Sequence, residues 1–301
     1  VISDNIWLTG KDKTLNPEKY YIIIPALFGN SQSSSPSNTP SLRPFPEVLF
    51  YDNVRAQHLL VTEHLGIKHA RAVLGWSMGA GQTYQWATQY PEFMDLVAPF
   101  CGSAKTSLHN QVFLEGVKSA LFAAKGTSSA GIAKPDVHTK QYGYSSFIPE
   151  TKDAGLKALG RVYAGWGFSQ AFYREKLHVT HFGAKDLDDF LVNFWEGWAC
   201  KKDPENMLVM AHTWQAGDCS DQEPYNGDFK AAMQGIKAKA LVLPAKTDLY
   251  FPPEDSEIEV ENMRPGIGEL KVFPSIWGHW AGGESQSFPL LFGMLCADED
   301  G

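Results

Sequence analysis

The chain has little of what several protein classes require. Its 301 residues hold four cysteines, Cys101, Cys200, Cys219 and Cys296, widely scattered and without a C-x-x-C pair. That spacing reads against a disulfide scaffold and as free thiols in a cytoplasmic enzyme. Positive charge is in deficit, with 26 Lys and Arg against 34 Asp and Glu and a net charge of −8. No basic cluster offsets this, so a nucleic-acid partner is not expected. No apolar run approaches the ~20 residues of a membrane span. No signal-peptide pattern opens the chain, and no internal repeat is evident. His178 and His181 form an H-x-x-H, but no carboxylate or cysteine stands at ligand spacing, so neither a metal nor a tightly bound cofactor is expected. At 44% hydrophobic and 20% charged residues, a chain of this length can bury a full core without staples.

Aromatic residues are abundant, with nine Trp, eighteen Phe and eleven Tyr. Three of them, Trp76, Trp277 and Trp280, flank the most informative stretch and its expected partner. That stretch is Gly75-Trp76-Ser77-Met78-Gly79. It follows the apolar run Arg71–Leu74 and precedes the helical pattern Gln82–Ala87. Strand, G-x-S-x-G, helix is the context of a nucleophile elbow, in which a strained serine is pushed out at the sheet edge. The two glycines are expected to make room for a sharp turn. The Met78 N–H, at a helix N-terminus, is then one donor to an oxyanion. Trp76 and Trp280 are read as aromatic walls of a pocket for an apolar or planar substrate, against core packing as the plainer alternative.

A serine hydroxyl needs a base, and the base an orienting carboxylate. In this class of fold they follow in the order Ser, acid, His. Ala240–Ala245 reads as a buried strand with Asp248 just beyond its end. Leu270–Phe273 reads as the next strand, followed by a loop carrying His279. Asp255 is the main competitor for the acid, although it also suits the start of a helix over Glu254–Met263. His58, His64 and His69 fall on or after a surface helix starting near Asp52. His109, His138 and His212 lie mid-chain and read as polar surface or as substrate contacts.

The chain divides into three blocks. Residues 1–105 and 236–301 alternate strand and helix, which predicts a mostly parallel sheet with helices on both faces. Residues 106–235 lose the strand signal and read as helices, among them Gln111–Ala124, Leu187–Cys200 and Pro204–Gln215, separated by Gly/Ser/Lys-rich loops. An inserted helical block of this kind predicts a cap over the site. Five strands are expected: Tyr20–Ala26, Arg71–Gly75, Leu96–Cys101, Ala240–Ala245 and Leu270–Phe273.

These residues resemble the homoserine O-acetyltransferase family of α/β-hydrolases. The resemblance rests on Asn53-Val54-Arg55-Ala56-Gln57, Leu65-Gly66-Ile67, the elbow through Gln82, Trp86-Ala87, Tyr90-Pro91, Asp248-Leu249-Tyr250-Phe251-Pro252-Pro253 and the Gly278-His279 loop. It covers most of the outer blocks and is weak in the middle. It implies an α/β-hydrolase fold with a helical lid, a Ser77–His279–Asp248 triad and an acyl-serine intermediate. Transferase members take acetyl-CoA as co-substrate and a small alcohol as acceptor; others hydrolyse small esters. Two departures stand out. Lys118-Ser119-Ala120-Leu121 occupies the place of an arginine-bearing R-Q-A-I-like stretch, and lysine lacks the bidentate fork that fits a carboxylate. Trp76 and Ala80 replace small glycines. Lys118 is therefore the substrate-binding candidate on this stretch, and homoserine is the second choice of substrate.

The expectation is ester hydrolysis or O-acyl transfer on an apolar or aromatic substrate that is not an amino acid. A catalytically silent binding protein and a serine-independent lyase are the alternatives from other classes. Family folds carry further strands ahead of Tyr20, and Val1 is not an initiator methionine. An upstream companion segment that completes the sheet and supplies the second oxyanion N–H is expected. The alternative is that Leu27-Phe28-Gly29 takes that place. A homodimer stays open.

Overall fold

A computed structural model describes residues 8–42, 44–125 and 149–284. Val1–Asn5, His138, Cys296 and positions 126–148 of the helical block lie outside the described residues.

Among the described residues four parallel strands form the sheet: β1 (Ala70–Trp76), β2 (Met94–Phe100), β3 (Lys239–Val242) and β4 (Gly268–Leu270), in spatial order β1-β2-β3-β4. β1 pairs with β2 from Ala70↔Met94 to Trp76↔Phe100, and isolated bridges Phe100↔Leu243 and Ala245↔Phe273 extend the ladder at the C-terminal end. Side chains alternate across a strand. Val97, Ala240 and Val242 therefore join Tyr84, Trp86 and Phe93 on one face. Ala98, Phe100, Leu241 and Leu243 join Leu8 and Phe273 on the other. Burial on both faces is why these strands read as nearly unbroken apolar runs.

Helix α1 (Phe50–Leu59), continued by a π-helical turn over Leu60–His64, packs on α2 (Met78–Gln89), the helix that leaves the elbow. The middle block holds α3 (Leu108–Ala124), α4 (Pro149–Gly167), a helical run of Leu187–Phe190, Leu191–Glu196 and Gly197–Ala199, and α5 (Pro204–Gln215). Ser107 caps α3 by accepting from the Asn110 N–H, and Asp203 caps α5, where Pro204 fills the first turn. α3 packs against α4 and α5. Phe113, Leu121, Leu156, Leu159, Leu208 and Trp214 form their common core, which continues onto Tyr250 and Phe251. After β3 comes α6 (Pro253–Asn262). Among the described residues no helix is long and apolar enough to cross a membrane.

One expected strand is not formed. Tyr20–Ala26 has no ladder partner among the described residues, and Tyr21 and Ile24 are exposed. A cleft separates this segment from the outer edge of β1, and an apolar run without a neighbouring strand has nothing to pair with.

Candidate active site

β1 ends at Trp76, and Ser77 turns the chain into α2 with φ 59° and ψ −122°. L-residues rarely adopt that conformation, and it persists only where surroundings enforce it. The Ser77 N–H donates to the Phe100 carbonyl oxygen at 3.1 Å, which ties the turn to β2. A Cβ on Gly75 would lie 2.3 Å from the Gly79 carbonyl, so that glycine is required. The expectation is not met for Gly79, where a Cβ would meet nothing within 4 Å among the described residues. Gly79 lines the cleft instead. The second steric requirement falls on Gly102 instead. A Cβ there would lie 2.4 Å from the Ala80 Cβ and 2.6 Å from the Ser77 carbonyl oxygen. Nothing local in the sequence marks Gly102, because it is brought under the elbow by β2.

The structure brings Ser77, His279 and Asp248 together. The His279 Nε2 is 2.9 Å from the Ser77 Oγ, and its Nδ1 is 2.9 Å from the Asp248 Oδ2. An ionised carboxylate can only accept, so Nδ1 carries the hydrogen and Nε2 is free to accept from the serine hydroxyl. The other Asp248 oxygen accepts from the Tyr250 and Phe251 N–H groups. Both Asp248 and His279 are buried. The acid and base loops are clamped by Thr247, whose Oγ1 donates to the Ser275 carbonyl oxygen and accepts from the Gly278 N–H. Gly278 has φ +62°, and a Cβ would strike the Ser169 nitrogen at 2.6 Å. Ser169 in turn donates to the Ile276 carbonyl oxygen. Thr247, Ser169 and Gly278 thus fix the base, and only Gly278 carried a sequence signal.

Asp255 sits in the first turn of α6 and has no contact with the imidazole. Burial raises its carboxyl, with Glu254 adding to the rise and His109 opposing it. The neighbouring Cys101 is no rival nucleophile, since burial and the Asp248 charge push its thiol well up and keep it protonated.

A cleft of about 1610 Å³ opens at Ser77 and runs along β1 to Tyr20–Ile24. Its inner end is lined by Ser77, Met78, Tyr163, Trp214, Tyr250 and His279, with Trp76 and Trp280 beside them. Trp76 stacks on the His279 ring at 5.1 Å and 25°, and Tyr250 meets that ring edge-on at 4.8 Å and 87°. The imidazole is therefore packed by the Trp76, Tyr250 and Phe251 rings. Trp280 reaches the cleft while packing against Trp76, Phe168 and Trp195. Trp277 instead packs among Phe168, Phe172 and His181.

Lys118 does not serve as proposed from the sequence. It is buried, bound to Gln215 Oε1 and Glu115 Oε1, and is not part of the cleft wall. Its place on the inward face of α3 spends its charge between α3 and α5. Ala80 is buried under Gly102. His58 stacks on Tyr90 at 3.8 Å, His69 pairs with Asp95, and His109 lies against Trp166. Among the described residues no group of three His, Cys, Asp or Glu is placed to hold a metal. Leu27 and Gly29 of the Leu27-Phe28-Gly29 turn line the same cleft as Ser77. The Phe28 N–H is already engaged by the Asn53 Oδ1 at 2.9 Å.

No family model matches the chain. Whole-chain comparisons do. An ethyl acetate hydrolase of Pseudomonas veronii is 35% identical over 273 residues, covering 90% of this chain and 73% of that protein. The crystal structure of an acetylester hydrolase from Corynebacterium glutamicum superposes with a TM-score of 0.85 at 31% identity, over 98% of this chain and 81% of that one. A homoserine O-acetyltransferase of Rhodospirillum rubrum is 28% identical over 283 residues, covering 87% of this chain and 68% of that protein. With the parallel sheet, the strained serine turn and these relatives in view, the chain belongs to the homoserine O-acetyltransferase-like family of the α/β-hydrolase superfamily and is an enzyme of ester hydrolysis or O-acyl transfer.

Proposed function

We propose that the chain is a serine ester hydrolase acting on small acetyl esters of apolar alcohols. The observation that carries this is the Ser77–His279–Asp248 relay, with 2.9 Å at each link. Ser77 attacks the ester carbonyl as His279 Nε2 takes its proton. Asp248 holds the imidazole in the correct tautomer and stabilises the imidazolium. As the first residue of α2, Met78 has an N–H without an intrahelical acceptor, and it donates to the oxyanion. Leu27, in the same cleft wall, is the second donor through its backbone N–H. His279 then protonates the departing alcohol. Water activated by the same imidazole releases acetate from Ser77.

The substrate reading draws on the ethyl acetate and acetyl-ester hydrolases named above and on the apolar wall of the inner cleft. Homoserine is disfavoured because Lys118, the residue carried over for its carboxylate, is spent on Gln215 and Glu115. α3, α4 and α5 are read as the cap, since their shared core continues onto Tyr250 and Phe251 beside the base. The test is turnover of ethyl acetate and p-nitrophenyl acetate with and without added alcohols, homoserine included. Acetate release should dominate. Ser77→Ala should remove on the order of 10⁶ in kcat, as loss of a triad serine does. Predominant formation of an acetylated acceptor would make the enzyme a transferase. Retention of a tenth of the rate by Ser77→Ala would remove the nucleophile assignment.

A further inference from the structure

The turn Leu27-Phe28-Gly29-Asn30 carries four backbone N–H groups, and three are spent inside the protein. The Phe28 N–H donates to the Asn53 Oδ1 at 2.9 Å. The Gly29 N–H donates to the Ser34 carbonyl oxygen at 2.9 Å, and the Asn30 N–H to the Leu27 carbonyl oxygen at 3.3 Å. The Leu27 N–H has no partner among the described residues. Leu27 itself is half-buried and lines the cleft with Ser77.

Asn53 is the side chain that grips this turn. It is 2% exposed, and its Nδ2 donates to the Leu49 carbonyl oxygen at 2.8 Å, at the start of α1. The amide can face only one way. Turned over, it would set an NH2 against the Phe28 N–H and an oxygen against a carbonyl. α1 is in turn seated on the elbow helix, where a Cβ on Gly81, in the first turn of α2, would lie 2.7 Å from the Phe50 ring. On its other side the turn rests on α5. Gly29 has φ +83°, and a Cβ there would lie 2.6 Å from the Val209 Cγ1. The Phe28 N–H and the Leu27 carbonyl share one peptide plane. Asn53 holds one end of that plane and the Asn30 N–H the other, which leaves the Leu27 N–H little freedom. We propose that Asn53 is a positioning residue for the oxyanion: by holding the Phe28 N–H it aims the Leu27 N–H at the carbonyl oxygen of the ester. This rests on the ester-hydrolase reading with Leu27 as second donor. Negative charge develops on that oxygen only in the transition state, so a lost aim lowers kcat rather than raising KM.

The test compares Asn53→Leu, similar in volume but without the acceptor, with Asn53→Asp, which keeps an acceptor for the Phe28 N–H. On ethyl acetate, Asn53→Leu should lose about ten- to a hundredfold in kcat with KM within threefold. Outright removal of an oxyanion donor costs about 10²–10³, which bounds the loss. Asn53→Asp should recover most of the rate. The second readout is inhibition by 1,1,1-trifluoroacetone. The Ser77 Oγ bonds to its carbonyl carbon, the serine proton passes to His279, and the carbonyl electron pair is left on an oxyanion. Its Ki should rise in Asn53→Leu by the factor that kcat/KM falls. A kcat within threefold of wild type overturns the positioning role. So does an equal loss in Asn53→Asp, or an unchanged Ki, since either marks Asn53 as a structural brace. If the leucine variant does not fold, Asn53→Ala, a good helix former, is read in the same way. Leu27→Pro has no N–H at that position and separates this role from the reading beneath it. A full rate in Leu27→Pro removes Leu27 as donor and the role with it. A loss there beside an unimpaired Asn53→Leu removes only the positioning. If wild type neither cleaves ethyl acetate nor is inhibited by trifluoroacetone, the hydrolase reading itself fails.

Discussion

Gly102→Ala puts the least possible atom in the place where the elbow has no room. The new Cβ would start 2.6 Å from the Ser77 carbonyl oxygen and 2.4 Å from the Ala80 Cβ, whereas nine in ten real Cβ contacts exceed 3.4 Å. Relief requires the Ser77 backbone to retreat by about 0.8 Å, and it is anchored on the far side by its bond to Phe100. Overpacking of this kind costs about 1–3 kcal/mol. The larger effect is on the Ser77–His279 geometry, since a displacement near 1 Å costs about 10² in rate. The expected result is a folded protein with a lowered melting temperature and kcat on p-nitrophenyl acetate down about a hundredfold. Gly79→Ala is the contrast, because its Cβ meets nothing within 4 Å among the described residues. Alanine in a helix gains up to about 1 kcal/mol over glycine, so that variant should melt no lower than wild type. A Gly102→Ala enzyme within threefold of the wild-type kcat would refute the reasoning.

Asp248→Asn should retain the fold and lose about 10⁴ in kcat, because an amide can hold the imidazole in the wrong tautomer; steady-state kinetics decide it, and a loss below tenfold would reassign the acid. Glu259 is buried between Tyr84 and the Ala104 N–H, and burial lifts its carboxyl from 4.5 to about 8 against the pull of those two donors. Its stability contribution is complete below pH 4.5 and is lost as pH rises through about 8, since the unfolded chain ionises first. Denaturant melts at pH 5, 7 and 9 should therefore show Glu259→Gln gaining on wild type as pH rises, and parallel curves would contradict this. Lys118→Met should leave KM for ethyl acetate within threefold while altering stability through Gln215 and Glu115, and a large rise in KM would return Lys118 to the binding site.

The elbow was legible because its signal is local: an apolar strand, two glycines around a serine, then a helix pattern. Asp248 and His279 were legible from chain order and from their position just after strands. Helix α4 was not. Its sequence carries Gly155, Gly160, Gly165 and Gly167, each a poor helix former. Three of them answer to packing, since a Cβ on Gly155 would strike Ala124, one on Gly160 the Trp195 carbonyl oxygen and one on Gly167 the Trp195 ring. The cost in propensity is local, while the reason lies on another helix. Tyr20–Ala26 shows the converse, an apolar run whose pairing depends on a neighbour that the run cannot reveal. Lys118 was misplaced because similarity in sequence position says nothing of which side of a helix is already occupied.

The hydrogen bond between Ser77 and His279 joins residues 202 positions apart. At about 5–20 residues per second of synthesis, some 10–40 s separate the appearance of the nucleophile from that of its base. During that interval the serine hydroxyl is an ordinary alcohol, and the nascent chain has no acylating power to turn on itself or its surroundings. The same separation makes turnover a gauge of chain continuity, because a break in the backbone anywhere between the two residues leaves the relay dependent on two pieces staying associated.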